Sequence, residues 1–357
     1  MSLHTSYVAA TGFEAARQLA SAAPGHRLGR PHGHSFVARV RAALPAGACP
    51  VAGGEVAQLS QALADAVAPL DHQALNSILP GPDDASLARW LQGRLALPGL
   101  HQLGLQSAPR HGVLLPEGGA LQWSRAYAFQ AAHRLPRVPM GHKCGRMHGH
   151  GFEVVLHAAG VDGHDALDEA WAPLHALLNY GCLNDLPGLE NPTSEVLSHW
   201  LWQRLKPALP GLASVTVFET GTSGALFDGR HCRIWKQMTL DSAVRLERAP
   251  EGHVLRRLHG HTYTLRLHLQ APLDEVLGWV VDFGDVKRLF QPLFDRLDHR
   301  PLHEIEGLEQ ADTATLAAWV LAQARRELPA LDRVDLLETP GCGAVVRRGE
   351  ELAVLPL

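Results

Sequence analysis

Residues 133–150 read H-R-L-P-R-V-P-M-G-H-K-C-G-R-M-H-G-H, which places His133, His148 and His150 in one stretch with Cys144. His148 and His150 begin an alternating apolar run through residues 151–157, and this pattern predicts a β-strand. Residues i and i+2 of a strand share a face, so both imidazoles can point at one ion. His133 ends a second strand-like run and supplies a third nitrogen if the two strands pair antiparallel. Three histidine ligands leave one zinc position open for chemistry.

Cys144 lies four residues before His148 in a glycine-rich loop. Beside a bound cation the pKa of a thiol falls and thiolate becomes available, so the sequence predicts a catalytic cysteine. Lys143 and Arg146 flank this residue. They are candidates for contact with a phosphate, and the alternative is that they are ordinary loop charges.

The His-Gly-His motif occurs three times, beginning at His32, His148 and His259, at intervals close to a third of the 357-residue chain. The neighbours repeat as well: Gly-His precedes each motif by a few residues, and an aromatic residue follows it. This self-similarity predicts internal triplication, with units at residues 1–116, 117–229 and 230–357.

Each unit is predicted to contain two strands, two helices and two strands, which is an α+β layer. The first unit has predicted helices at 55–70 and 84–95 and a strand at 101–106. The third has helices at 285–297 and 312–328 and strands at 278–283 and 333–338. Turn signals at 116–119 and at Asp228-Gly229 predict hairpins between consecutive units. We therefore expect the three units to lie side by side in one sheet and to close a pseudo-threefold ring.

Composition excludes several classes of protein. The chain is 46% hydrophobic and 19% charged with a formal charge of −4, so we expect no nucleic-acid partner. No charged leader and no apolar run of about 20 residues is present, so we expect no membrane partner. The five cysteines include no C-x-x-C pair, which argues against a disulfide framework and predicts a cytoplasmic protein.

Four motifs resemble those of the 6-pyruvoyl-tetrahydropterin synthase superfamily. They are Phe129-Gln-Ala-Ala-His133-Arg-Leu, Gly141-His-Lys-Cys144-Gly-Arg-Met-His148-Gly-His150, Asn191-Pro-Thr-Ser-Glu195 and Phe218-Glu219-Thr220. The C-x-x-x-H-G-H spacing is similar to that of the bacterial 6-carboxy-tetrahydropterin synthases of queuosine biosynthesis. The resemblance implies the tunnelling fold (T-fold), in which three subunits close an antiparallel β-barrel with helices outside. Because family members are about one third this long, three tandem ββααββ units in one chain would supply the whole barrel.

The resemblance also implies the site residues. Zinc would be held by His133, His148 and His150, and Glu219 would anchor the pterin. Cys144 would work with an Asp-His pair from an adjacent subunit.

Only the middle copy keeps the metal ligands and the thiol. Aligned on His-Gly-His, the position of His133 is Arg17 in the first copy and Val244 in the third. The position of Cys144 is Leu28 and Leu255, and we align Glu219 with Gln106 and Glu338. The remaining histidines of the outer copies, which are His32, His34, His259 and His261, are interpreted as structural because two imidazoles make a poor zinc site.

The middle copy lacks the Asp-His pair, since it reads Asn179-Tyr180 where the outer copies read Asp71-His72 and Asp298-His299. These losses are complementary and predict one composite site per chain. The sequence does not decide which pair is used. The pattern Leu70-Asp-His-Gln-Ala-Leu-Asn76 slightly favours the first.

The resemblance implies a zinc-dependent lyase, 6-carboxy-5,6,7,8-tetrahydropterin synthase, with 7,8-dihydroneopterin triphosphate as its small-molecule substrate. Two alternatives stay open. One is 6-pyruvoyl-tetrahydropterin synthase, which eliminates triphosphate without cleaving the side chain, and the other is a non-enzymatic member that binds pterin or zinc. A homodimer of pseudo-trimers is the assembly that we consider.

Overall fold

The computed structural model describes residues 3–20, 25–45, 47–272, 278 and 280–349. The first unit contains β1 (Leu3–Arg17), β2 (His32–Ala42), α1 (Glu55–Val67), β3 (Gln73–Ala74), α2 (Asp84–Leu95), β4 (Leu100–Ala108) and β5 (His111–Pro116). The second contains β6 (Gln122–His133), β7 (His148–Ala159), α3 (His164–Leu178), β8 (Gly181–Cys182), α4 (Ser194–Leu205), β9 (Leu212–Thr220) and β10 (Ser223–Phe227). The third contains β11 (Cys232–Val244), β12 (His259–Gln270), α5 (Phe283–Leu297), α6 (Thr313–Ala324), β13 (Leu331–Thr339) and β14 (Cys342–Arg348).

The long strands close into a twelve-stranded antiparallel barrel. Within each unit the strands follow one another through antiparallel pairs. Strand β5 pairs with β6 and β10 pairs with β11, which joins consecutive units, and β1 pairs with β14 to close the ring. The two-residue strands β3 and β8 add parallel pairs to β1 and β6. The predicted α+β tunnelling fold of three tandem units in one chain is confirmed.

The barrel wall has two faces because side chains alternate along each strand. In β7, Phe152, Val154 and Leu156 are buried against the helices of their own unit. The intervening residues, such as Glu153 and Val155, face the barrel interior. Each unit therefore has its own core between its strands and its two helices. No helix among the described residues is both long enough and apolar enough to cross a bilayer.

The turns between units lie where the turn signals are. Strands β10 and β11 pair up to Phe227 and Cys232, and Asp228 Oδ1 accepts hydrogen bonds from the N–H groups of Arg230 and His231. Gly229 has φ +92°, a conformation that favours glycine. The sequence-based boundaries at 116/117 and 229/230 fall in these turns and remain a prediction.

The strand predicted at 278–283 is wrong for the residues that the structure describes there, whereas Trp279 lies outside the described residues. Residues 280–282 form a bend, and α5 begins at Phe283. Gly278 has φ +73°, which interrupts an extended chain, and Asp282 caps α5 by accepting from the N–H groups of Gly284 and Asp285. The backbone of this segment bonds to side chains of the middle unit in place of a neighbouring strand.

Candidate functional site

Three imidazoles meet at the end of β6 and the start of β7. His133 lies directly opposite His148 in the antiparallel register, and His150 follows two residues later on the same face. The Nε2 atoms of His133 and His150 are 3.1 Å apart. One ligand atom from each of the three residues lies within 4.8 Å of the others. The sequence therefore placed these side chains together correctly.

The Nδ1 atom of each imidazole faces a backbone carbonyl. His133 Nδ1 lies 3.3 Å from Pro192 O, His148 Nδ1 lies 2.8 Å from Arg146 O and His150 Nδ1 lies 3.2 Å from Gly151 O. A carbonyl fixes the proton on Nδ1 and leaves the Nε2 lone pair free. Tetrahedral zinc with Zn–N bonds of about 2.0–2.1 Å holds neighbouring nitrogens about 3.3 Å apart. The donor set therefore fits a zinc ion.

Burial sets the charge of this cluster. His133 is 1% exposed, and burial lowers its pKa to about 4, with Glu219 opposing the shift and His148 and His150 adding to it. A hydrogen bond with Glu219 is the main cause that raises the pKa of His150. The buried imidazole is neutral at pH 7, as a metal ligand must be.

Glu219 joins the cluster from β9. Its Oε1 lies 3.5 Å from His150 Nε2, and its Oε2 accepts a hydrogen bond from Ser194 Oγ at 2.8 Å. Burial alone would raise the pKa of this carboxyl, but the bonds from His150 and Ser194 outweigh it and lower the pKa. The result is an ionised carboxylate in a fixed orientation beside the imidazoles.

Cys144 lies in the 3₁₀ turn Lys143–Gly145, which joins the two histidine-bearing strands. Its N–H donates to His142 Nδ1 at 3.2 Å, and its carbonyl accepts from Leu135 N–H. Burial raises the pKa of the Cys144 thiol, Glu219 and Asp282 raise it further, and Lys143 opposes them. The fall in pKa predicted from the sequence is therefore not supplied by the protein groups and depends on a bound cation.

Sequence reasoning named Lys143 as a candidate phosphate contact but missed the group of lysines to which it belongs. The chain has four lysines, and three of them, Lys143, Lys236 and Lys287, belong to this region. Burial lowers the pKa of Lys236, and the charges of Lys287 and Lys143 lower it further, so both ammonium groups lie within electrostatic reach. Two of the three come from the third unit, and the rarity of lysine in an arginine-rich chain was the available signal.

The third unit borders the middle site. Thr193 Oγ1 donates to Gly278 O at 2.6 Å, and His142 Nε2 lies 3.4 Å from Asp282 Oδ2. The equivalent region of the first unit borders the second unit in the same way, because His26 Nε2 lies 3.6 Å from Asp165 Oδ2. Each of these two sites thus faces the unit that follows it in the chain.

Both Asp-His pairs have the geometry predicted for them. Nδ1 of His72 lies 2.9 Å from Asp71 Oδ2, and Nδ1 of His299 lies 2.7 Å from Asp298 Oδ2. Both imidazoles are exposed, and the bond with Asp298 is the main cause that raises the pKa of His299. Tyr180, at the equivalent place in the middle unit, shares their left-handed backbone.

Strand order separates the two pairs. Asp298 accepts from Asp241 N–H, so the pair lies along β11 beyond the end of β10, which belongs to the middle unit. Asp71 accepts from Glu14 N–H on β1, and the neighbour of β1 on that side is β14 of the third unit. The strand order therefore favours Asp298-His299 for the middle site, contrary to the slight preference for His72 drawn from its sequence pattern.

The first copy has a salt bridge where the middle copy has imidazoles. Arg17 pairs with His32 in the register that His133 and His148 adopt. Its NH1 donates to Asp84 Oδ1 at 2.6 Å, its NH2 lies 3.2 Å from His34 Nε2, and Asp84 accepts a second bond from Ser107 Oγ. A guanidinium cannot ligate a metal, so the first copy lacks the third ligand that a zinc site needs.

The position of Glu219 in the first copy is Ser107, and the alignment with Gln106 is wrong. Glu219 is the unpaired residue of a bulge between β9 and β10, and Ser107 and Glu338 are the unpaired residues of the matching bulges. Gln106 points to the other face and accepts from Arg39. The alignment of Val244 with His133 holds, because Val244 pairs with His259.

A protein-family model described as 6-pyruvoyl tetrahydropterin synthase matches residues 122–230 and again residues 233–349. A 6-carboxy-5,6,7,8-tetrahydropterin synthase from Synechocystis sp. is 36% identical over 117 residues, which cover 29% of this chain and 89% of that protein. A dihydroneopterin monophosphate aldolase from Pyrococcus furiosus is 31% identical over 99 residues, which cover 27% of this chain and 78% of that protein.

Among solved structures, 6-pyruvoyl tetrahydropterin synthase from Caenorhabditis elegans is similar to this chain at 20% identity and a TM-score of 0.30. The match covers 33% of this chain and 95% of that one.

Proposed function

Because the chain belongs to the 6-pyruvoyl tetrahydropterin synthase family, we propose that it is a zinc-dependent 6-carboxy-5,6,7,8-tetrahydropterin synthase acting on 7,8-dihydroneopterin triphosphate. One composite site per chain would carry the reaction, between the second and third units. The cysteine usage of the chain favours the cytoplasm as its compartment.

One observation supports this proposal above the others. Within the described part of the chain, the middle copy alone combines three convergent imidazoles with an ionised carboxylate and a nearby thiol. The first copy replaces the first imidazole with Arg17 and the third replaces it with the buried Val244. This division favours one specialised catalytic site per chain.

His133, His148 and His150 would hold the metal. When bound, zinc polarises the oxygen atoms of the substrate side chain and makes the adjacent carbon acidic. Cys144, as thiolate, would move protons on and off that carbon, and Glu219 would accept hydrogen bonds from the ring N–H groups of the pterin.

His299 would be the partner acid or base. Asp298 holds its Nδ1 and raises its pKa, which leaves Nε2 as the ring nitrogen that would exchange a proton with the side chain of the substrate. A thiol and an imidazole of different pKa suit a reaction that relocates several protons.

The lysine group supports a phosphorylated substrate. Three ammonium groups near one another repel, and an anionic polyphosphate would relieve that repulsion. Lys143 comes from the cysteine turn, whereas Lys236 and Lys287 come from the third unit, so the phosphate tail would span the boundary between units.

The deciding experiment is mass spectrometry of the product formed from 7,8-dihydroneopterin triphosphate by the zinc-loaded protein. We expect 6-carboxy-tetrahydropterin together with acetaldehyde and released triphosphate. Formation of 6-pyruvoyl-tetrahydropterin would assign the alternative synthase, and no product with stoichiometric pterin binding would assign a binding protein.

The similarity to dihydroneopterin monophosphate aldolase favours a second candidate, cleavage of a monophosphorylated pterin. The same assay with 7,8-dihydroneopterin monophosphate separates the two. The lysine group predicts that the triphosphate is turned over with the higher kcat/KM, and a preference for the monophosphate would replace our assignment.

A further inference from the structure

The helix α4 begins with three side chains that point to two different units. Ser194 donates to Glu219, which belongs to the site of its own unit. Thr193 Oγ1 donates to Gly278 O at 2.6 Å, and Glu195 Oε1 accepts from Val280 N–H at 3.1 Å. Thr193 and Glu195 therefore bind the backbone of the third unit as a neighbouring strand would, with one donor and one acceptor.

The contact is close and buried. Glu195 is 2% exposed. Gly278 has φ +73°, and a Cβ at this position would come within 3.1 Å of Val196 Cγ2 and 3.3 Å of Asn191 Nδ2. Only glycine combines this backbone conformation with so close an approach. We call Gly278 together with residues 280–282 the strap.

The strap continues to the cysteine turn. Asp282 Oδ2 lies 3.4 Å from His142 Nε2, and His142 Nδ1 accepts from the N–H of Cys144 at 3.2 Å. These roles agree with one tautomer of His142, in which Nε2 carries the proton. A continuous path of contacts thus runs from Glu195 through the strap and His142 to Cys144.

The Glu195 contact is specific to the middle unit. The residues at the equivalent place in the first turn of α2 and α6 are Ala85 and Ala314, which offer no acceptor to a neighbouring unit. Among the residues that the structure describes, the copy with the histidine cluster and Cys144 is thus also the copy in which a buried carboxyl contacts the next unit. Drift in an unused repeat does not explain this coincidence.

We propose that Glu195 is a positioning residue, which fixes the strap of the third unit on the middle site and thereby sets the place of Cys144 and the charge around it. This role deepens the proposed function and rests on it only where turnover is concerned. Burial raises the pKa of Glu195 to about 7, with Glu219 adding to the shift and Val280 N–H opposing it, and a glutamine offers the same acceptor without the charge.

The first test needs no substrate. In Glu195→Ala, amide hydrogen exchange at residue 280 and alkylation of Cys144 by iodoacetamide should both speed up by roughly 10- to 100-fold, the effect of losing one hydrogen bond to a carboxylate. Glu195→Gln should keep the bond and stay within about threefold of wild type. Asp83→Ala, which removes the N-cap of α2 in the first unit, is the matched control and should change neither rate.

Gly278→Ala tests the same contact from the third unit without altering α4, and it should release the strap as Glu195→Ala does. Metal content should stay at the wild-type level in every variant, which separates release of the strap from unfolding. Wild-type exchange at residue 280 and wild-type alkylation in both Glu195→Ala and Gly278→Ala would overturn the proposal.

Steady-state kinetics provide a separate test of the positioning role. With 7,8-dihydroneopterin triphosphate, Glu195→Ala should lower kcat by at least about tenfold and leave KM within about threefold, because Ser194 still orients Glu219. If the wild-type protein shows no synthase activity while the exchange and alkylation results hold, the proposed function fails and the positioning role stands. A lower kcat without faster exchange or alkylation would overturn the positioning role alone.

Discussion

Arg17 and His133 occupy equivalent places in the first and second units. Replacement of Arg17 tests whether the first copy has a structural role and no role in metal binding. Arg17→Met removes the guanidinium from a salt bridge whose side chains are each only 4% exposed. In the structure, Arg17 and Ser107 both donate side-chain hydrogen bonds to Asp84. After the substitution the buried carboxylate keeps the bond from Ser107 Oγ and loses the one from Arg17. We predict a large loss of stability without loss of metal.

The magnitude follows from the burial. Removing one partner of a buried ion pair costs about 3–5 kcal/mol, because a charge is left uncompensated. Since Ser107 still bonds to Asp84, we expect about 3 kcal/mol in the free energy of unfolding. Replacing both partners with apolar residues is often close to neutral, so Arg17→Met/Asp84→Leu should recover most of the loss.

Urea unfolding followed by circular dichroism measures this change, with equal m-values as the check that the transitions are comparable. Zinc content is measured on the same samples and should stay at wild type in both variants. A loss below about 1 kcal/mol in Arg17→Met, or a fall in zinc content, would refute the assignment of the first copy to a structural role.

Three further predictions concern the middle unit. His133→Ala should lower zinc content from one per chain to near zero by elemental analysis, whereas His32→Ala should leave it unchanged; a wild-type value near three per chain would contradict the account. Cys144→Ala should keep zinc and pterin binding and lose about 10²–10⁴-fold in kcat, and an unchanged kcat would remove the proposed base. Burial lowers the pKa of His157 to about 4, below its ordinary value, so the unfolded chain takes up a proton first and stability falls as the pH drops below about 6.5. Between pH 7 and pH 5 the wild type should lose about 2 kcal/mol more than His157→Gln in urea unfolding, and an equal loss would count against a neutral buried imidazole.

The sequence predicted the features of the fold and of the site that depend on local periodicity and on the internal repeat. His133, Arg17 and Val244 align correctly because each ends a strand whose register is fixed by the motif beginning at His148, His32 or His259. The helix predicted at 84–95 has the observed bounds, since Asp83 caps its start and apolar spacing continues to its end.

Contacts between units could not be predicted, because they leave no periodic or repeated pattern in the sequence. Glu195 and Gly278 are far apart in the chain. Nothing in the sequence around either residue indicates that Glu195 accepts a hydrogen bond from Val280 N–H. The strand predicted at 278–283 failed because a left-handed glycine and a helix cap interrupt an apolar run that otherwise looks extended. Ser107 was missed because a bulge shifts the register by one residue, and a shift of one residue changes the face on which a side chain lies.

The most direct test of the composite site compares His299→Ala with His72→Ala in the zinc-loaded protein, with the conversion of 7,8-dihydroneopterin triphosphate followed by mass spectrometry. Because Asp298-His299 continues along β11 beside the middle unit, His299→Ala should lower kcat by about 10²–10⁴-fold, the usual contribution of a general acid or base. His72→Ala, whose pair borders the third unit, should retain wild-type kcat. Loss of activity in His72→Ala with wild-type activity in His299→Ala would contradict the assignment from strand order, and wild-type activity in the double variant would contradict the composite site itself.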